Sequence, residues 1–277
     1  MRKFSNMELL INPKICKDIG PITNLEKNLD NERTKYIIRK EFRRLSGRKK
    51  LGLLWLIVDP MATTLVYFLV LQVFRTNVNA ESMIIGITMF RIFTASMKSG
   101  MNALSDFSGG IKAERIRTSV LLKAKFGYRI IDTSLQCLGV TIILIFAYST
   151  NFTGLLALLF SCQILGILSE GFGLSFSLIV KRIPDIGNLI NHFLLLMFFA
   201  SPVLYPMYMT TGIHYEINKF NPFSYFVEIV RECANLESVI YDIGYNKIFI
   251  ISAIIVLISV KGFISLDKIR WEVSTWS

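Results

Sequence analysis

The chain has 277 residues, a formal net charge of +11 and 18% charged residues, with a mean hydropathy of +0.49. This hydropathy argues against a soluble domain and predicts an all-α integral membrane protein. Six spans of about 20 residues would use roughly 120 positions. That leaves room for one membrane domain, 34–277, after a cytoplasmic segment, 1–33. No cleavable signal is expected, because Met1–Asp30 has no continuous apolar core.

A basic amphipathic stretch, Thr34–Lys50, precedes the first apolar run. Its apolar side chains share one helical face, namely Ile37, Ile38, Phe42 and Leu45. Its basic side chains surround the rest, namely Arg39, Lys40, Arg43, Arg44, Arg48 and Lys49. This pattern predicts a helix that lies in the membrane interface and is attracted to anionic lipid headgroups. The alternative is a juxtamembrane basic flank that only sets topology.

Six apolar runs predict six transmembrane helices, at about 51–74, 83–104, 128–148, 152–180, 187–209 and 246–266. The fifth run ends in Ser201-Pro202-Val203-Leu204-Tyr205-Pro206, where each proline lacks a backbone donor. Lipid offers no replacement partner, so this span is expected to break and re-enter.

The distribution of Lys and Arg predicts the orientation of these spans. The segment 1–50 has fourteen Lys or Arg against six Asp or Glu, and 106–127 has five against two. The segment 210–245 reverses the balance, with two basic and five acidic residues. Both termini are therefore expected in the cytoplasm, in a multi-pass protein of the bacterial inner membrane.

A second amphipathic segment, Asn218–Asn235, interleaves apolar residues with Glu228, Arg231 and Glu232. It predicts a helix at the outer surface, started by Asn221-Pro222, because proline suits the first helical turn.

Enzyme and cofactor motifs do not occur in the sequence. It has no GxxxxGK[ST] loop for nucleotide phosphates, no nucleophile elbow and no HExxH pair. Its two histidines, His192 and His214, lie in different segments, and its four cysteines are scattered. We expect no catalysis, cofactor, metal or disulfide here, so any ATP and Mg²⁺ would belong to another chain. Nucleic-acid binding is not expected, because the positive charge follows membrane topology.

Three motifs in order carry a family resemblance. The basic stretch joins Leu51-Gly52-Leu53-Leu54-Trp55 and Pro60, the Ser201–Pro206 motif follows in the fifth span, and Asn221-Pro222-Phe223 precedes Glu228 and Arg231. Together they resemble the transmembrane subunit of ATP-binding-cassette exporters for bacterial surface polysaccharides, such as capsule, the O-antigen of lipopolysaccharide and teichoic acid. The resemblance implies a homodimer with an ATPase subunit, exporting a polysaccharide or lipid-linked glycan.

The resemblance also implies roles for particular segments. A gate helix at the cytoplasmic leaflet would contain Ile37, Ile38, Arg39, Phe42, Arg43 and Arg44. A coupling helix in Ile111–Leu122 would dock on the ATPase through Glu114, Arg115 and Arg117, although these charges could simply enforce topology. The outer mouth would be closed by Asn218–Asn235, including Asn221, Pro222, Glu228 and Arg231.

A polysaccharide conduit needs aromatic faces for sugar rings. The first and fifth spans offer Trp55, Tyr67, Phe68, Phe198, Phe199, Tyr205 and Tyr208, although aromatic residues also serve helix packing. Charges within spans cost about 2.5–3.5 kcal/mol and usually face protein or water. Arg91 and Lys98 are therefore predicted to line the conduit and favour an acidic glycan. The alternative is that Arg91 forms a structural ion pair with Glu170.

Two other functions compete with this hypothesis. The same architecture could move a drug, a lipid or another small cargo. The chain could also be a membrane-embedded glycan assembly factor without a transport role.

Overall fold

The computed structural model describes residues 24–46, 54–73, 79–106, 118–239, 253, 256–262 and 264. All regular secondary structure within these ranges is helical, which confirms the all-α prediction. The helices are α1 (Asn24–Ser46), α2 (Trp55–Val73), α3 (Ala80–Met101), α4 (Ala103–Asp106), α5 (Thr118–Tyr148), α6 (Phe152–Arg182), α7 (Pro184–Ala200), α8 (Gly212–Phe220) and α9 (Pro222–Cys233). A 3₁₀ turn, Met207–Met209, lies between α7 and α8, and residues 256–262 are helical.

Two helices of the described part of the chain are long and apolar enough to cross a membrane. They are Val120–Tyr148, within α5, and α6, whereas α7 is apolar but shorter. Most of the predicted sixth span, 246–266, lies outside the described residues, as does most of the predicted segment 1–33.

Helix α3 lies at the centre of the fold and packs most closely against α6. A Cβ atom built on Gly173 would lie 2.2 Å from the carbonyl oxygen of Met97, and one on Gly100 would lie 2.2 Å from that of Glu170. Any side chain at these positions would force the two backbones apart. Small residues commonly allow such close contact between membrane helices.

The predicted break in the fifth span is confirmed. Helix α7 ends at Ala200, and Ser201 has an extended backbone. The following segment lies against α3, because a Cβ built on Gly86 would lie 2.1 Å from the carbonyl oxygen of Val203. Protein, rather than lipid, therefore surrounds the interrupted backbone, as the cost of unsatisfied backbone groups requires.

The predicted helix over Asn218–Asn235 is corrected to parts of two helices. Asn218 belongs to α8, and α9 begins at Pro222. Asn221 separates them because its side chain caps α9 by accepting a hydrogen bond from the Phe223 amide (3.1 Å). Its side-chain nitrogen donates to Ser201 Oγ (2.7 Å), which fastens the start of α9 to the end of α7.

Helix α1 is the predicted amphipathic helix, although it begins at Asn24, ten residues earlier than expected. Ile37 is buried against Val120, Leu121 and Ala124 of α5. The apolar face of α1 therefore packs on α5, and the described basic side chains Arg39, Lys40 and Arg43 remain exposed.

Candidate functional site

A cavity of about 230 Å³ lies between α2, α3 and α7. Each helix lines it with residues at helical spacing: Thr63 and Tyr67 from α2, then Ile87, Phe90, Arg91, Thr94 and Lys98 from α3, then Asn191, Leu194, Leu195 and Phe198 from α7. We call this the α2–α3–α7 cavity. It brings together four of the predicted conduit residues, which are Tyr67, Arg91, Lys98 and Phe198.

Arg91 is held by α2, and the alternative prediction of an Arg91–Glu170 ion pair is wrong. Its guanidinium pairs with the carboxylate of Asp59, and its Nη1 donates to Thr63 Oγ1 (2.9 Å). These partners are four residues apart on α2, so they face Arg91 together. Glu170 pairs with a different arginine, Arg129, which lies in α5.

Lys98 lies two helical turns beyond Arg91 and is exposed. No ion-pair partner for it occurs among the described residues. Within the described part of the chain, the α2–α3–α7 cavity therefore has one positive charge without an ion-pair partner, that of Lys98, beside the partly exposed Arg91–Asp59 pair.

Aromatic rings form a continuous series through this region. Tyr67 and Phe198 have ring centroids 5.0 Å apart, Phe198 and Phe90 are 5.2 Å apart, and Phe90 and Phe223 are 5.3 Å apart. Such pairs favour offset or edge-to-face contacts. The series links α2 and α7 through α3 to α9, so the cavity wall is connected to the predicted outer gate.

The other predicted lining residues do not surround this cavity. Trp55 is exposed at the start of α2, Phe199 and Tyr208 are exposed, and the side chain of Phe68 lies outside the described residues. Tyr205 donates from its hydroxyl to the carbonyl of Phe199 (2.7 Å) and lies 2.8 Å from His214 Nε2. Its contacts therefore connect the broken segment to α8, as the packing alternative expects.

The predicted outer gate residues form a buried cluster instead of a solvated face. Glu228 and Arg231 are fully buried, and Arg231 Nη1 donates to Glu228 Oε1 (2.8 Å). Glu228 accepts a second hydrogen bond from the Met207 amide (3.2 Å), and Arg231 donates to the Ser82 carbonyl (3.2 Å). The two charges of this amphipathic helix therefore face the protein interior. The pair sits where α9, α3 and the broken segment meet and satisfies their backbone groups.

The structure contains a second set of buried charges that the sequence analysis did not predict. Arg129 Nε donates to Glu170 Oε2 (3.1 Å), and its Nη1 donates to Asp132 Oδ2 (2.9 Å). Lys125 Nζ lies 3.8 Å from Glu170 Oε1 and donates to the carbonyl of Ser99 (3.0 Å). We call Lys125, Arg129, Asp132 and Glu170 the buried charge network. It joins α3, α5 and α6 with two positive and two negative charges.

A signal for this network existed in the sequence. Lys125, Arg129, Asp132 and Gln136 are spaced by four, three and four residues, so they share one face of α5. The predicted third span, 128–148, contains Arg129 and Asp132, yet Arg91 was the only partner considered for Glu170. The structure also brings the thiols of Cys137 and Cys162 into contact, although both cysteines are free.

The structure describes most of the predicted gate residues and none of the three predicted coupling residues. In α1, Phe42 packs on Tyr128 of α5 with ring centroids 5.0 Å apart, and the side chain of Arg44 lies outside the described residues. Also in α1, Lys35 Nζ donates a hydrogen bond to Glu32 Oε1 (2.8 Å). This bond and the positive charge of Lys35 lower the pKa of the Glu32 carboxyl group. Glu114, Arg115 and Arg117 lie outside the described residues, and the end of their predicted helix belongs to α5.

Residues 32–234, which contain every described helix from the basic part of α1 to α9, match the family model of the ABC-2 type transporter. The chain belongs to the ABC-2 type transporter family. This ABC-2 permease is therefore a membrane transport subunit and not an enzyme, and the family implies an ATPase partner.

Curated relatives of this ABC-2 permease include two polysialic acid transport proteins, KpsM, of Escherichia coli. One is 23% identical over 202 residues, which cover 70% of this chain and 77% of the relative. The other is 22% identical over 199 residues, with the same coverage of both chains. The resemblance to polysaccharide transport permeases is confirmed.

Proposed function

We propose that this ABC-2 permease forms the membrane pathway of an ATP-driven exporter for a lipid-linked cell-surface polysaccharide. The observation that carries the proposal is its similarity to two polysialic acid transport proteins across most of both chains. The matched family region, 32–234, includes all residues of the α2–α3–α7 cavity. In polysaccharide export, the aromatic and hydroxyl-bearing side chains of that cavity would contact the sugar rings of the polymer.

The cavity offers the two kinds of contact that a sliding sugar polymer needs. The Tyr67–Phe198 pair supplies flat apolar surface, and Thr63, Thr94 and Asn191 supply hydrogen-bonding groups. Each contact is modest, so a polymer would be guided without being trapped. The residues that line the cavity would form one wall of a conduit, and a second copy of the chain would form the other wall.

The remaining segments would serve this pathway from both sides of the inner membrane. Six spans with both termini in the cytoplasm would place the exposed basic face of α1 at the inner leaflet. There Arg39 and Arg43 would bind the phosphate of a lipid-linked glycan, since a guanidinium fork matches phosphate oxygens. The segment containing Glu114, Arg115 and Arg117 would contact the ATPase subunit, where ATP and Mg²⁺ bind.

At the opposite end, α8 and α9 would close the outer mouth. The Glu228–Arg231 pair ties α9 to the broken segment after α7, and the aromatic series reaches α9 at Phe223. A displacement of the cavity wall would therefore be passed to the outer gate through packed rings and this ion pair.

Deletion of the gene tests the proposal most directly. We expect the surface polysaccharide to disappear and its polymer to accumulate in the cytoplasm, with both defects reversed by the wild-type gene. Complementation with Tyr67→Ala should slow the appearance of polymer at the surface. Phe146→Ala is the matched control, because Phe146 is 85% exposed on α5 and does not line the cavity.

Other outcomes of the deletion would contradict the proposal. Unchanged surface polysaccharide, with altered drug resistance or lipid distribution, would favour a permease for a small or lipid cargo. Loss of polymer synthesis, with none trapped inside, would favour a glycan assembly factor. Membrane levels of each variant, measured by immunoblot, would separate a transport defect from poor insertion.

A further inference from the structure

A second cavity, of about 200 Å³, lies between α3, α6, α7 and α9. Met97 lines it from α3, Leu168 from α6, Met197 from α7 and Phe226 from α9. We call this the apolar cavity. Leu194 of α7 lines both this cavity and the α2–α3–α7 cavity, so the two cavities share part of one wall.

The two polar side chains that line the apolar cavity already have hydrogen-bond partners. Ser169 Oγ donates to the carbonyl of Leu165 (2.6 Å). Asn221 accepts from the Phe223 amide and donates to Ser201 Oγ. The other lining side chains are apolar. A buried water needs about two to four polar partners, and a buried sugar hydroxyl without a partner is costly. The apolar cavity therefore suits hydrocarbon, and neither water nor sugar.

The apolar cavity opens at the middle of α7, beside exposed apolar side chains. Phe193 is its most exposed lining residue, at 57%. Leu189 and Leu196 lie on the same helical face as Phe193 and are 70% and 62% exposed. Because α7 belongs to the predicted fifth span, its middle lies near the centre of the bilayer, where the acyl chains of the two leaflets end. Lipid chain ends are therefore the hydrocarbon beside the opening.

The volume of the apolar cavity fits the end of one chain and not a whole lipid. An apolar cavity of about 150 Å³ in another protein stays dry and binds benzene, which has six carbons. In proportion, a volume of about 200 Å³ accommodates about eight carbons. This is shorter than a phospholipid acyl chain, so the rest of the chain and the headgroup would remain in the bilayer.

We infer that the apolar cavity binds the terminal segment of one phospholipid acyl chain, which enters beside Phe193. The bound chain would fill the space between α6, α7 and α9. It would contact Leu194 and Phe223, and Phe223 packs on Phe90 of the α2–α3–α7 cavity with ring centroids 5.3 Å apart. The phospholipid would thus support the wall of the α2–α3–α7 cavity from behind, whatever cargo passes.

Photolabelling with a lipid probe tests the inference. The full-length chain would be placed in phosphatidylcholine nanodiscs that contain a phosphatidylcholine with a diazirine near the end of one acyl chain. Light releases nitrogen from the diazirine, and the resulting carbene inserts into a neighbouring bond, which tandem mass spectrometry locates. We expect adducts at Met97 and Phe223, whose 5% and 2% exposure keeps them from bulk lipid, and at Leu138, which is 50% exposed on α5.

A matched probe carries the diazirine beside the ester of the same chain. Since only the chain end fits the apolar cavity, this probe should leave Met97 and Phe223 unlabelled. It should still label Phe146, which is 85% exposed near the end of α5. This comparison uses only the wild-type chain, so it does not depend on the folding of a variant.

A variant that fills the apolar cavity provides a second test. Leu168→Trp places an indole in the cavity, so the Met97 adduct should be lost and the Leu138 adduct should remain. Ile164→Trp is the matched control. Ile164 lies one turn before Leu168 on α6, is 51% exposed and does not line the apolar cavity, so this variant should label like the wild type.

Three results would overturn the inference. One is labelling of Leu138 without Met97 or Phe223, as expected if a second copy of the chain covers the opening. The others are equal labelling of Met97 by both probes, and a Met97 adduct that persists in folded Leu168→Trp. Loss of the adduct when a polyprenyl phosphate replaces a minor part of the phosphatidylcholine would also overturn it, by assigning the cavity to a cargo's lipid anchor. Gene deletion tests the proposed function separately.

Discussion

Removal of one carboxylate from the buried charge network should destabilise the protein strongly. Arg129 and Glu170 have side chains only 3% exposed, with Nε and Oε2 3.1 Å apart. Glu170→Gln removes the carboxylate that pairs with Arg129 and that lies 3.8 Å from Lys125 Nζ, so two cations in the interior lose a nearby negative charge. Breaking a buried pair in this way costs about 3–5 kcal/mol. At about 2–4 °C per kcal/mol, the melting temperature should fall by roughly 6–20 °C.

The double variant provides the sharper test of this reasoning. Glu170→Gln combined with Arg129→Gln removes one charge of each sign, and Lys125 keeps Asp106, whose Oδ2 lies 3.9 Å from its Nζ. The second change should therefore cost less in the variant than in the wild type, with a coupling energy of about 1–3 kcal/mol. Purified wild type, both single variants and the double variant would be melted in one detergent at one pH, followed by tryptophan fluorescence.

Additive losses would refute this account, because they would mean that the two side chains act independently. Lys35→Gln provides the control for a change of one charge. Its ion pair with Glu32 is exposed, with side chains 63% and 71% accessible, so solvent screens it. The melting temperature of this variant should remain close to that of the wild type.

Three further predictions address packing, the outer gate and topology. Gly173→Leu should abolish the folded yield in detergent, measured by size-exclusion chromatography, because its Cβ would lie 2.2 Å from a carbonyl oxygen of α3. Gly187→Ala should fold, because its Cβ would lie 3.2 Å from one methyl group of Val180 and would meet no backbone atom within 4 Å. Glu228→Gln should lower the melting temperature by an amount that corresponds to about 3–5 kcal/mol, since it leaves Arg231 buried without a counter-charge; an unchanged melting temperature would contradict this. A cysteine placed at Glu216 should react with a membrane-impermeant maleimide on intact spheroplasts, and labelling only after lysis would contradict the proposed orientation.

The breaks and faces of the helices followed from local chemistry. Pro202 and Pro206 cannot donate backbone hydrogen bonds, so the end of α7 near Ala200 was predictable. Asn221-Pro222 predicted the start of α9 because both residues favour that position in any context. The apolar face of α1 was predictable for a similar reason, since helical periodicity groups its side chains without help from other elements.

Pairing between charges was not predictable in the same way. The alternative to a conduit role for Arg91 paired it with Glu170, because both lie in apolar runs, yet its partner is Asp59 on α2. The choice depends on which helix lies beside α3 and at what height, and these are properties of the packed bundle. The burial of Glu228 and Arg231 was also not predictable. An amphipathic helix has the same sequence pattern whether its polar face contacts water or, as here, the interrupted backbone after α7.

The sequence by itself determined that the chain is helical, apolar and basic on alternating connections, and where proline and asparagine interrupt or begin its helices. These properties arise from interactions within a few residues, so they do not depend on distant segments. Tertiary structure alone decided which charges neutralise each other and that Tyr67, Lys98, Asn191 and Phe198 surround one cavity. Tertiary structure also decided the close contact of α3 and α6 at Gly100 and Gly173, because the heights of helices relative to one another come from backbone packing between residues far apart in sequence.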